Sequence, residues 1–240
     1  MQPERLLAIF AHPDDETFRP GGTLAILARQ GVQVQVLTST RGEAGSCGEP
    51  PLCTVDELPC VRERELHCAC AALGIHSMRL MDYLDGHLQE ANRETLVKRI
   101  LSVVDEVKPQ VMLSFGPDGI SGHPDHVIIG GCASEAFQRA AQVAALYTVA
   151  VPFSLAQRSG MRQLQPVPDE AIALTVDISS AWDAKQAAMR CHATQWVSSP
   201  MVTLPEENQK LFFGREYFVQ AAIRDVAADF LPGVLQGYLR

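Results

Sequence analysis

Short apolar runs alternate with helix-period segments along this chain, and that alternation limits the folds open to it. Leu6 to Phe10, Val32 to Leu37, Met78 to Tyr83, Val111 to Phe115, Ala144 to Val151 and Ala171 to Ile178 each read as a strand. Between them the pattern predicts helices from about Thr17 to Arg29, Val61 to Leu73, Ala91 to Val107, His126 to about Ala141, and Ser180 to Gln195. In the Ala91 helix, Leu96, Ile100, Val103, Val104 and Val107 form one apolar side. Apolar strands alternating with helices imply an α/β fold, with a mostly parallel, Rossmann-like sheet covered by helices on both faces. In such a sheet, sites lie beyond the carboxyl ends of the strands. The segment after Gln195 gives no clear pattern.

At 240 residues the chain is read as one domain spanning 1–240. It is 47% hydrophobic and 20% charged, with a formal charge of -8 and no basic stripe. A nucleic-acid surface is therefore not expected. No secretory pattern opens the sequence and no apolar run approaches the roughly 20 residues of a membrane span. A cytoplasmic protein with no membrane partner is the expectation. Seven cysteines show no C-x2-C pair, which argues against a cysteine zinc site. They are read as small buried hydrophobes. A Cys47–Cys53 bridge across the long 40–59 loop is the alternative, opposed by a reducing compartment.

Two motifs follow predicted strands. His12 and Asp15 stand three apart after the first, with Asp14 between them projecting differently. His123 and His126 repeat the three-residue spacing after the fourth. Two imidazoles and one carboxylate suit Zn2+ with a position left for water. The same ligands accept Fe2+. A second carboxylate can then act as general base, and the remaining histidine can stabilise an oxyanion and protonate a leaving amine. The plainer reading of Asp14, Asp15 and Glu16 is a charged helix N-terminus. That reading is preferred for Glu16 alone.

Ala11-His12-Pro13-Asp14-Asp15-Glu16 with Gly21-Gly22-Thr23, and Gly122-His123-Pro124-Asp125-His126, resemble the LmbE-like (PIG-L) deacetylase family. The resemblance extends through Thr40-Arg41-Gly42-Glu43-Ala44-Gly45, residues 62–74 and residues 185–195. It implies the LmbE-like deacetylase fold and one metal per chain, held by His12, Asp15 and His126. It implies Asp14 as general base, His123 as the polarising and proton-donating histidine, and Asp125 as the partner that orients His123. Arg62 and Asp85 resemble substrate-binding residues, and Glu43 and His192 pocket residues. Against these stand a solvated helix-start arginine for Arg62 and a core or surface histidine for His192. The implied substrate is a small amino-sugar conjugate, and the implied reaction is removal of an N-acetyl group. The resemblance also suggests a homo-oligomer. The family's membrane-anchored glycolipid enzymes carry a transmembrane segment that is not expected here.

The Cys- and Pro-rich stretch from Ser46 to Cys53 departs from the family pattern beside the expected sugar pocket. Three other readings remain. One is an amidase for a larger acyl group. Another is a nucleotide-binding module built on the Gly21-Gly22 turn, which lacks the expected glycine spacing. The third is a metal-binding protein without catalysis.

Overall fold

A computed structural model describes residues 4–159, 164–224 and 230–240. Its strands are β1 (Arg5–Phe10), β2 (Gln33–Thr40), β3 (Ser77–Tyr83), β4 (Val111–Phe115), β5 (Ala145–Ala150), β6 (Leu174–Asp177) and β7 (Arg215–Ile223). They form one sheet in the order β3-β2-β1-β4-β5-β7-β6. The first five in that order pair in parallel. β7 runs antiparallel to both of its neighbours. Every residue of β4 and β5 is buried, as is all of β1 after Arg5, as expected for strands covered on both faces.

The helices are α1 (Asp15–Phe18), α2 (Gly21–Arg29), α3 (Leu58–Leu73), α4 (Arg93–Val107), α5 (Pro124–Arg139), α6 (Phe153–Ser159), α7 (Trp182–Cys191), α8 (Ala193–Trp196), α9 (Glu206–Phe213) and α10 (Phe230–Leu235). α2, α3 and α7 pack together, while α4 packs on α5 and both touch β1. β1 sits between β2 and β4, where the chain reverses its direction of travel across the sheet. That reversal opens a crevice at the carboxyl ends of β1 and β4.

Several expectations need correction. The helix expected from Thr17 to Arg29 is two helices, because Pro20 has no amide to continue the ladder and becomes the N-cap of α2. The helix expected to reach Gln195 breaks at His192, where ψ is 55°. β6 covers only Leu174–Asp177, and it pairs antiparallel with β7. α4 starts at Arg93, where the side chain of Asn92 accepts the amide of Thr95 at 2.9 Å.

α2 needs glycine at its second residue. A Cβ on Gly22 would lie 2.5 Å from Cβ of Ile178. The amides of Gly22 and Thr23 donate to the two carboxylate oxygens of Glu216, at 2.8 and 2.7 Å. Lys185 Nζ lies 2.6 Å from the same carboxylate. The helix N-terminus is thus filled by a buried side chain of β7 and has no room for a phosphate, which removes the nucleotide-binding reading.

Candidate metal centre and active site

The two motifs meet in the crevice. The turn after β1 carries His12 and leads into α1 at Asp15. The loop after β4 turns through Gly119 and Gly122, both at positive φ, and brings His123 to the N-cap of α5. His126 follows one turn later, its ring stacked on Phe115 with centroids 4.0 Å apart.

His12 Nδ1 lies 3.1 Å from His126 Nε2. His126 Nε2 is 3.3 Å from Asp15 Oδ1, and His12 Nδ1 is 3.7 Å from Asp15 Oδ2. Ligands about 2.0–2.1 Å from a tetrahedral zinc stand about 3.3–3.4 Å from one another, so this spacing fits one face of such a site. The opposite ring nitrogens are committed elsewhere. His126 Nδ1 lies 3.1 Å from the carbonyl of Gly119, to which it can donate. His12 Nε2 faces Asp85 Oδ1 at 2.9 Å and Asp125 Oδ2 at 3.3 Å. With a proton at each of those positions, His12 Nδ1 and His126 Nε2 would each keep a lone pair for a metal. The amides of His12 and Ala11 hold Asp15 Oδ2 at 2.8 and 3.2 Å.

Among the described residues, two sets bring one ligand atom from each of three residues close together, both include His12, and Asp15 belongs to neither. His12, His123 and His126 bring ring nitrogens within 4.8 Å of one another, as do His12, Asp85 and Asp125 with their carboxylates. The second set is poorly suited to an ion. Asp125 already accepts the amides of Gly86 and Leu88 at 2.7 and 3.0 Å, and Asp85 accepts that of Ala44 at 3.1 Å. These carboxylates orient the His12 ring.

Asp14 has φ 122°, a backbone conformation costly outside glycine. Two contacts hold it there. Arg62 Nη2 donates to Asp14 Oδ2 at 2.9 Å and also to the carbonyl of Pro13. Glu16 Oε2 accepts the amide of Asp14 at 3.0 Å, and Glu16 Oε1 faces His192 Nε2 at 2.7 Å. Burial raises the Asp14 carboxyl to about 6, against the lowering pull of Arg62 and with the added push of Asp15. Burial also lowers the His123 imidazole, helped by His12 and His126 and opposed by Asp125.

The crevice gathers His12, Asp14, Asp15, His123, Asp125 and His126. Several expected roles change. Asp125 does not back the His123 ring, because its carboxylate turns to His12 and only its amide meets His123 Nδ1, at 3.2 Å. Asp85 is spent on His12 and Ala44. Arg62 is 3% exposed, so it is not a solvated helix-start arginine. Its Nη1 donates to the carbonyl of Gly42 at 2.7 Å, and its Nε is buried without a partner among the described residues. His192 is buried against Glu16, so the core reading holds and the pocket role does not. Glu43 is half-buried, with Oε1 accepting the amide of Asp85 at 3.2 Å.

Other contacts escaped sequence reasoning. Glu16 is completely buried and props up Asp14, beyond charging a helix end. Glu65 on α3 accepts the amide and hydroxyl of Thr194 at 2.8 and 2.7 Å. Cys68 and Cys191 form a disulfide joining α3 to α7 and Cys60 is exposed, so the reading of the thiols as small buried hydrophobes holds fully only for Cys70 and Cys132. Cys47 and Cys53 are free thiols. Among the described residues no helix is long and apolar enough to cross a membrane.

Residues 7–137 match the family model described as PIG-L, GlcNAc-PI de-N-acetylase. The chain is 31% identical to 1D-myo-inositol 2-acetamido-2-deoxy-alpha-D-glucopyranoside deacetylase from Thermobifida fusca, across 81% of this chain and 84% of that one. Among solved structures it resembles GalB, the 4-carboxy-2-hydroxymuconate hydratase from Pseudomonas putida KT2440. The TM-score is 0.69, with 24% identity over 93% of this chain and 98% of that one. It also resembles the N,N'-diacetylchitobiose deacetylase from Pyrococcus horikoshii. Here the TM-score is 0.65, with 22% identity over 92% and 84% of the two chains. A hydratase and a deacetylase share this architecture, so the structural likeness speaks for the fold alone. The family model and the identity to the Thermobifida protein place this chain in the PIG-L, or LmbE-like, deacetylase family.

Proposed function

We propose that this chain is a zinc-dependent hydrolase that removes the N-acetyl group from a small GlcNAc-containing conjugate. The observation that supports the reading is the proximity of His12 Nδ1, His126 Nε2 and the Asp15 carboxylate, at pairwise distances of 3.1, 3.3 and 3.7 Å, with Asp14 in the same turn. The named activity of the Thermobifida relative supports the substrate class. A divalent ion at that point would supply Lewis acidity for the acetyl carbonyl and for the attacking water.

The remaining chemistry falls to side chains. Arg62 holds Asp14 Oδ2, and Asp14 Oδ1 can take the proton of the attacking water. The water oxygen bonds to the acetyl carbon, and the carbon–nitrogen bond then breaks. The Asp125 amide donates to His123 Nδ1, so the proton of a neutral His123 sits on Nε2. From there it can stabilise the carbonyl oxygen, and the proton that Asp14 took from the water passes to the departing amine. Asp85 and Asp125 keep His12 in the tautomer that offers Nδ1.

The test is metal analysis of the purified protein, with an assay for acetate released from GlcNAc-inositol, GlcNAc-malate and chitin oligosaccharides. Metal near one equivalent with acetate released from at least one of them is expected. Metal-loaded protein that releases none would overturn the reading.

A further inference from the structure

The carboxyl end of the sheet has a second concavity, towards β5, β7 and β6. It is a cavity of about 580 Å³ whose walls include Leu155, Arg158, Trp182, Phe212, Arg215 and Tyr217. A narrow inner cleft shares four of those residues and reaches Phe18, Arg19, Lys185 and Glu216. Arg19 follows Asp15 by one helical turn, a rise of about 6 Å. The cleft therefore approaches the metal turn.

The charges in this region do not balance. Glu216 is already committed to Lys185 and to the amides of Gly22 and Thr23. Among the described residues, the half-buried guanidinium of Arg19 has no hydrogen bond and no ion pair. Burial pulls it down to about 10, while Glu216 and Asp15 pull the other way. In the outer cavity Lys210 is matched by Glu206, and Asp177 by Arg240. Arg158 and Arg215 have no carboxylate within ion-pair distance among the described residues. Glu207 is the one wall carboxylate there that is likewise unmatched among them. A cation withdrawn from water without a partner costs stability, and a planar guanidinium suits a carboxylate or phosphate in a bidentate grip.

We propose that Arg19, with Arg215 at the mouth, binds an anionic carboxylate or phosphate group on the substrate, remote from the acetyl group. This rests on the deacetylase reading and narrows it to acidic conjugates. The apolar walls around Trp182 and Phe212 would hold the body of the ligand next to that charge.

The experiment compares wild type, Arg19→Met and Arg215→Met, all metal-loaded. Turnover is measured on three GlcNAc conjugates that differ only in a neutral, carboxylate or phosphate substituent. Calorimetric titrations use inorganic phosphate and succinate. Arg19→Met should lower kcat/KM by about 10–100-fold on the preferred anionic conjugate, and far less on the neutral one, as for loss of a charge-assisted pair. Arg215→Met should show the same bias more weakly. The preferred conjugate, and the stronger of the two titrations, tell carboxylate from phosphate. The Tm of Arg19→Met should not fall, since an unmatched cation is removed. Equal losses on neutral and anionic conjugates would overturn the proposal, as would unchanged titrations or a clear drop in Tm. If no conjugate is turned over, the deacetylase reading fails, and the titrations still decide whether Arg19 binds an anion.

Discussion

Glu16 and His192, 176 residues apart in sequence, face each other at 2.7 Å with neither side chain reaching solvent. The other oxygen of Glu16 holds the amide of Asp14, so this pair supports the backbone of the proposed base. Removing one member of a buried pair strands the other, at a cost of about 3–5 kcal/mol. Glu16→Gln and His192→Gln should each destabilise on that scale. The double variant should lose clearly less than the sum. Denaturant unfolding of all four proteins measures this, and additive losses would show that the pair is not coupled.

His192 also predicts a pH dependence. Burial lowers its pKa, but the charge and hydrogen bond of Glu16 outweigh that and raise it above the ordinary value. A raised histidine contributes its stability fully below the unfolded pKa of about 6.5, and loses it as pH climbs through the folded value. The stability gap between wild type and His192→Gln should therefore be widest near pH 6 and shrink on the alkaline side. A gap that widened with pH would reverse the sign argued here.

The overlapping ligand sets are separable by metal content. His12→Ala should lose both metal and activity, because every set uses His12. Asp15→Ala should also lose metal, whereas His123→Ala should keep it and lose turnover. Metal retained in Asp15→Ala and lost in His123→Ala would favour the three-histidine set.

Asp14→Asn should keep the metal and lose about 10²–10⁴-fold in kcat, since an amide cannot accept the proton. Near-normal turnover would move the base elsewhere.

Gly22→Ala should destabilise by about 1–3 kcal/mol, because the new methyl collides with Ile178. Trimming the obstacle in Gly22→Ala/Ile178→Ala should cost less than the two single changes added together. Thermal melts would show this, and no interaction between the two would locate the strain elsewhere.

The five parallel strands and both histidine motifs were readable because each rests on a local pattern. A buried strand is a short apolar run, and a ligand pair is a fixed spacing. Pro20 was equally readable and should have split the first helix. β7 was not readable, since Arg-Glu-Tyr-Phe-Val-Gln-Ala-Ala-Ile mixes charge into a strand whose buried Glu216 is matched only by distant Lys185. The roles of Asp85 and Asp125 depend on which way each side chain turns once its loop packs, and residue spacing does not encode that. Cys68 and Cys191 are 123 residues apart, a separation with no local signature.

The cap that Glu216 places on α2 bears on where the chain could be cut. Residues 7–137 carry the family match and every residue proposed to hold the metal or move a proton. A fragment ending there would keep those groups and leave the amides of Gly22 and Thr23 without their carboxylate acceptor. Glu16 would lose His192 in the same cut. The catalytic half is therefore not a separable module: its first helices close only when the last strand of the sheet arrives.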